Sequence, residues 1–101
     1  MPVERELLKA VASIGDLVEL DLFFQEIFTP GELDDLSLRW KLLTDLHRGM
    51  TQRKIAEKYS ISLCKITRGS KILKKEGSIA LKILNRAAEG AEKGDIIDTD
   101  R

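Results

Sequence analysis

Apolar residues recur along this chain every three or four positions, the spacing of one helix face, and no stretch alternates as a strand would. Val3 to Val11 carries Leu7, Leu8 and Val11 at that spacing, and Ser13-Ile-Gly-Asp16 interrupts it. A second helix is predicted from Asp16 to Phe28, with Leu17, Leu20, Leu22, Phe23, Phe24, Ile27 and Phe28. That is more large apolar surface than one face of a small monomer can bury, so part of it is expected to meet a partner chain. Thr29-Pro-Gly-Glu32 then reads as a helix start: Thr29 suits the cap, Pro30 the first helical position, and Glu32 completes a capping box. The helix it opens is predicted to run to about Arg48. At about 100° per residue, its Leu33, Leu36, Leu38, Trp40, Leu42, Leu43, Leu46 and His47 spread over an arc of roughly 220°. A surface helix needs only about half of that, so burial on most sides and a role as the scaffold of a dimer are expected.

Arg48-Gly49-Met50 breaks the pattern, and the stretch from Thr51 to Ser70 reads as two short helices around a tight turn. Thr51 can cap the first, whose inner face is Ile55, Ala56 and Tyr59. Ala56 is small where the two helices come close, Ser60 and Ile61 make the turn, and Ile61 plugs the corner. Ser62 can cap the second, along which Leu63, Ile66 and Leu73 recur at helical spacing. Ser60 stands where such turns usually place glycine, so either it accepts a less comfortable backbone conformation or the turn differs slightly. The spacing matches a helix-turn-helix, whose second helix enters the major groove of DNA. On that helix Cys64, Arg68, Lys71 and Lys75 share the face opposite the apolar stripe, flanked by Lys65 and Thr67. Cations beside short hydrogen-bonding groups suit phosphates and base edges. Glu76-Gly-Ser78 is a further break, with Ser78 as a cap for a last helix at about Ile79 to Ala88. Gly90 to Arg101 reads as a flexible tail.

Charge changes the picture more than composition does. The 101 residues carry 17 basic and 17 acidic side chains, which alone would argue against a polyanion partner. Divided along the chain they separate. Residues 1–37 hold two basic and nine acidic residues, whereas residues 38–76 hold eleven basic and three acidic. The basic block coincides with the helix-turn-helix, so an acidic body would orient a basic head on DNA.

Other classes find little support. No apolar run approaches membrane-spanning length, and the opening Met-Pro-Val-Glu-Arg-Glu is no secretory signal, so a cytoplasmic protein is expected. One cysteine excludes an internal disulfide framework, and Cys64 with His47 is too little for a structural zinc site. His47 lies on the apolar side of the long helix as a packed histidine, and Cys64 has no base nearby, so no enzyme is expected. Arg39 alone stands out, at about 240° inside the apolar arc between Leu46 and Leu43. A charge placed there needs a partner, either Asp35 one turn earlier or a ligand.

Thr-Gln-Arg-Lys-Ile-Ala from Thr51, and above all Ile66-Thr-Arg-Gly-Ser-Lys-Ile-Leu-Lys74, resemble the tryptophan repressor family. The likeness extends back through Arg48-Gly-Met50 to Thr29-Pro-Gly-Glu32, close to half of the chain. The first 28 residues share only helical, dimer-forming character and look more like the short tryptophan-repressor-like branch. The resemblance implies an all-α, intertwined homodimer with paired recognition helices, and L-tryptophan as corepressor between core and head. It implies that Arg39 and Arg68 flank the indole ring, that Thr29 lies by the ligand carboxylate, and that Gly69 lets the ring approach the backbone. A guanidinium stacked on an aromatic face makes such a pair chemically reasonable. On the DNA side it points to Gln52, Arg53, Ser62, Leu63, Cys64, Lys65, Thr67 and Lys74, to which the outward Lys71 is added. The sequence departs from the family at Ile72, where a serine helps to hold the ligand's amino group, and has one residue fewer near Gly49. Trp40 stands where a smaller aliphatic residue is common, Lys65 replaces a threonine, and Ala56 replaces a lysine.

The combined expectation is one all-α domain over residues 1–101. It comprises a dimerisation core (1–50), a helix-turn-helix (51–75), a C-terminal helix (76–89) and a tail (90–101). As function it is a homodimeric repressor that binds double-stranded operator DNA under the control of a small effector. The alternatives are a ligand-independent DNA-binding relative, in which Arg39 pairs with Asp35, and a helical protein-interaction module that does not bind DNA.

Overall fold

The computed structural model describes residues 2–92, and among them every regular element is an α-helix. In order they are α1 (Arg5–Ser13), α2 (Leu17–Ile27), α3 (Pro30–His47), α4 (Gln52–Tyr59), α5 (Leu63–Lys74) and α6 (Ile79–Glu92). The chain groups into two compact units that divide at Ser37/Leu38, within α3.

In the first unit each helix start is held by a side chain. The Glu4 carboxylate accepts from Leu7 N–H at 3.0 Å and opens α1, so Val3 precedes the helix rather than beginning it. The Asp16 carboxylate accepts from Glu19 N–H at 3.0 Å and opens α2. At α3 the capping box forms as the sequence predicts. Glu32 N–H donates to Thr29 Oγ1 at 3.2 Å, and Thr29 N–H donates to the Glu32 carboxylate at 2.9 Å. Neither α1 nor α2 buries a residue within the chain. Phe24 meets Phe28 edge-on with ring centres 5.3 Å apart. They join Leu7, Leu8 and Val11 in lining an open apolar groove of about 270 Å³.

The second unit is organised around Ile55 and Ile66, both fully buried, with Leu42 at 4% exposure. Leu43, Leu46, Met50, Ala56, Tyr59 and Ile61 pack around them, as expected of the inner face of α4 and of the corner plug. α3 ends where Gly49 N–H donates to Leu46 C=O and Met50 N–H to Asp45 C=O, both at 3.0 Å. Gly49 carries φ +95°, the left-handed position that this type of helix ending requires. Thr51 Oγ1 accepts from Lys54 N–H at 3.2 Å and opens α4. Ser78 Oγ accepts from Leu81 N–H at 3.1 Å and opens α6, whose Leu84 is buried.

Four expectations change. Ser62 occupies the cap position of α5, but its side chain makes no capping hydrogen bond. Leu63, which its spacing sets on the apolar stripe with Ile66 and the resemblance sets on the DNA side, is 52% exposed and does not enter the core. α3 buries only Leu42 and Asp45 within the chain, since its apolar arc is wider than the surface that α4 and α5 cover, and Trp40 remains 42% exposed. The last helix runs to Glu92, past the expected limit of 89, because no breaker interrupts Ala87 to Glu92 strongly enough to end it. The rest of the expected tail, residues 93–101, lies outside the described residues.

Of the two alternatives at Ser60 the structure takes the less comfortable backbone, the left-handed conformation at φ 55° and ψ 48°. A side chain there crowds the following carbonyl. Ser60→Gly should therefore stabilise the fold by about 1 kcal/mol. Urea unfolding checks this, and an unchanged or lower midpoint would show that the turn is not strained.

Candidate nucleic-acid interface

The helix-turn-helix owes its geometry to two buried contacts on α5. Ile66 fills the core, and one turn later Gly69 is buried against α3. A β-carbon at Gly69 would meet Leu42 Cδ1 at 2.6 Å, Leu46 Cδ1 at 3.3 Å and Leu43 Cδ2 at 3.4 Å. Leu42 is itself held in the core and has little room to retreat. Glycine at this position thus sets how closely α5 lies on α3.

With Ile66 and Gly69 turned inward, Ser62, Leu63, Cys64, Lys65, Thr67, Arg68, Lys71 and Lys74 are all exposed. Cys64 is a free thiol. Arg53 and Lys54 are exposed in the first turn of α4, beside backbone N–H groups that favour anions. Gln52 is half-buried, because Thr67 Oγ1 donates to its Oε1 at 3.2 Å and joins the two helices across the turn. The nine residues expected on the DNA side therefore lie on α4, α5 and the turn between them, within one compact unit. The unit boundary at Ser37/Leu38 is also where the charge changes sign along the sequence.

The residues expected around an effector are distributed differently. Arg39 is exposed, and neither ion pair among the described residues includes it, so of its two possible partners Asp35 is not engaged. Exposure removes the need for a partner that its place in the arc had implied. Arg39 shares a face of α3 with Leu42, Leu43 and Leu46, the residues that receive Gly69, so it lies one turn from the α3–α5 contact. Arg68 precedes Gly69 on α5 and is exposed, and Ile72 is 40% exposed. Thr29 belongs to the first unit, where its hydroxyl caps α3.

Besides Thr67–Gln52, polar contacts at two further places were not foreseen. Asp45, 4% exposed, accepts from the Tyr59 hydroxyl at 2.6 Å and from Lys58 Nζ at 3.1 Å, both on Oδ2. Burial pushes the Asp45 carboxyl up, but the hydrogen bonds from Tyr59 and Lys58, with the charges of Lys58 and Arg48, outweigh it and hold it below the usual value. Burial and the Asp45 hydrogen bond push the Tyr59 phenol up, and the Asp45 hydrogen bond raises Lys58. The sequence signal was faint: Asp45 falls about 20° outside the edge of the apolar arc, next to Leu38. The other contact joins His47 Nε2 to Asn85 Oδ1 at 2.8 Å, linking α3 to α6. His47 is half-buried, as a packed histidine would be. Among the described residues there is no metal-ligand cluster, and no helix is long and apolar enough to cross a membrane.

A carboxyl with a lowered folded pKa stabilises the fold above its ordinary value, and loses that contribution as pH falls through the folded one. Tyr59 and Lys58, the hydrogen-bond donors to Asp45, are both raised from values that already lie above that window. Asp45→Asn should therefore flatten the stability loss between about pH 5 and pH 3. Thermal unfolding across that range measures it, and parallel curves for both proteins would mean that other carboxylates carry the acid response.

Comparison with known proteins follows the same lines. A family model described as Trp repressor protein matches residues 4–88. A Trp operon repressor homolog of Chlamydia trachomatis serovar L2 is 37% identical over 71 residues, covering 65% of this chain and 76% of that protein. The homolog of Vibrio vulnificus strain YJ016 is 32% identical over 75 residues, 73% of this chain and 74% of its own length. That of Chlamydia caviae is 42% identical over 53 residues, 52% of each. No solved structure matches the chain significantly. A basic helix-turn-helix seated on a long capped helix, together with these matches, places the chain in the Trp repressor family of DNA-binding transcriptional repressors.

Proposed function

We propose that this chain is a homodimeric, sequence-specific repressor that reads double-stranded operator DNA with α5, under the control of a small effector such as L-tryptophan. The carrying observation is the division of α5 into two faces. Ile66 and Gly69 seat it on the core, while Lys65, Thr67, Arg68, Lys71 and Lys74 face outward with Arg53 and Lys54 of α4. The cations would hold the phosphates, and Gln52, Ser62, Leu63, Cys64, Lys65 and Thr67 would meet base edges or the sugar-phosphate chain. Dimerisation is supported by the first unit, where Leu17 is 81%, Val18 66% and Leu22 58% exposed. A second copy would remove that apolar surface from water. Such a regulator acts in the cytoplasm.

In the effector-controlled form Thr29, Arg39, Arg68, Gly69 and Ile72 would line the ligand site, and DNA and ligand would strengthen each other's binding reciprocally. A second reading, a DNA-binding regulator without effector, is favoured by one observation: leucine side chains of α3 already fill the space beyond Gly69.

DNA enriched from a random pool by the full chain provides the probe. Its affinity should fall steeply with salt, by roughly a thousandfold between about 50 and 200 mM if six or more phosphates are neutralised. A flat salt dependence would remove the DNA reading. Titration calorimetry with L-tryptophan should show about one ligand per chain, and Arg68→Ala should abolish that binding and weaken DNA binding. Heat and thermal shift both absent in the unsubstituted chain would select the effector-free reading.

A further inference from the structure

Gly69 sets the distance of α5 from α3, but a helix resting on one close contact can still pivot about it. Whatever fixes α4 also fixes α5, because only Ser60, Ile61 and Ser62 separate them. α4 is anchored to α3 at both ends, and both anchors run through one residue. At its start, the Asp45 carbonyl accepts from Met50 N–H at 3.0 Å, immediately before the Thr51 cap. At its end, the buried Asp45 carboxylate takes Tyr59 Oη at 2.6 Å and Lys58 Nζ at 3.1 Å. The Lys58 ammonium also lies 5.1 Å from the centre of the Tyr59 ring. A carboxylate this enclosed keeps its charge only while its donors stay in place, so α4 has one favoured orientation.

We infer that Asp45, with Tyr59 and Lys58, is the positioning group of the reading head. Its buried carboxylate fixes the angle of α4 and hence of α5, and it withdraws Lys58 from the phosphate-binding charges. None of the three belongs to the recognition face described above. The inference rests on the DNA-binding reading. It assigns to Lys58 a role opposite to that of Lys54, four residues earlier on the same helix: one cation holds the head, and the other remains free for DNA.

The test uses the full chain and the DNA that it enriches from a random pool. Affinity is measured against salt at a temperature where circular dichroism shows each variant folded. Tyr59→Phe removes a single oxygen, and Asp45→Asn removes the charge while keeping the shape. Both should lower affinity about tenfold or more; the salt slope should stay unchanged in Tyr59→Phe, since the loss is of geometry rather than of phosphate contacts, and should not fall in Asp45→Asn, which frees Lys58. Lys58→Met should likewise leave the slope unchanged, whereas Lys54→Met should reduce it by about 0.9. If Asp45→Asn does not fold, Tyr59→Phe still decides. Folded Tyr59→Phe with undiminished affinity would overturn the positioning role. A slope reduced in Lys58→Met as in Lys54→Met would make Lys58 a phosphate contact instead. If the unsubstituted chain enriches no DNA, the DNA reading fails and the inference falls with it.

Discussion

With no β-carbon at Gly69, α5 lies so near α3 that a methyl group there would meet Leu42 Cδ1 at 2.6 Å. The rest of the second unit depends on that approach. It brings Ile66 fully into the core beside Ile55 and Leu42, and so decides which residues of α5 must face outward. A helix that buries Ile66 and Gly69 has its other side committed to solvent, and this chain fills that side with lysine, arginine, threonine and cysteine. The outward face of α5 is thus a consequence of the packing beneath it. An added methyl group would have to displace Leu42 from a filled core, a cost that close-packed interiors do not absorb easily.

Electrostatics then separates two kinds of charge. Most cations of the basic segment are exposed and form no ion pair among the described residues, which suits attraction to phosphates. Lys58 is the exception among them, because it is bound to a carboxylate that α3 buries. A buried carboxylate is weak evidence for net stability, but its demand for donors is strict, and that demand makes it an effective orienting device. The first unit behaves differently: its helices are capped by Glu4, Asp16 and Thr29, yet they bury nothing within one chain. Local hydrogen bonds define them, and Leu17, Val18 and Leu22 stay exposed within one chain.

Much of the architecture could be read directly from residue order. The capping box at Thr29 and Glu32, the Thr51 cap, the Gly49 break, the turn at Ser60 and the inner face of α4 all form as their residue types require. Two expectations failed for instructive reasons. Leu63 was placed on the apolar stripe by its spacing from Ile66, but of that first turn of α5 only Ile66 enters the core. Arg39 was placed in an enclosed arc by periodicity, but the arc exceeds what α4 and α5 cover, so Arg39 is solvated and needs no counter-ion. Periodicity reports which residues share a helix face, and cannot say how much of that face a neighbour covers.

The sequence alone therefore determined the helices, the caps at Thr29, Thr51 and Ser78, the turn between α4 and α5, and the change in charge sign near Ser37. Each of these depends on contacts between residues a few positions apart, whose geometry the helix itself imposes. Only the tertiary structure decided that Gly69 is a packing seat, that Thr67 holds Gln52, that His47 meets Asn85 and that Asp45 clasps Tyr59 and Lys58. Those contacts join residues 13 to 38 positions apart on different helices. Whether two such side chains meet depends on the angle and distance between helix axes, which no periodicity within either helix contains.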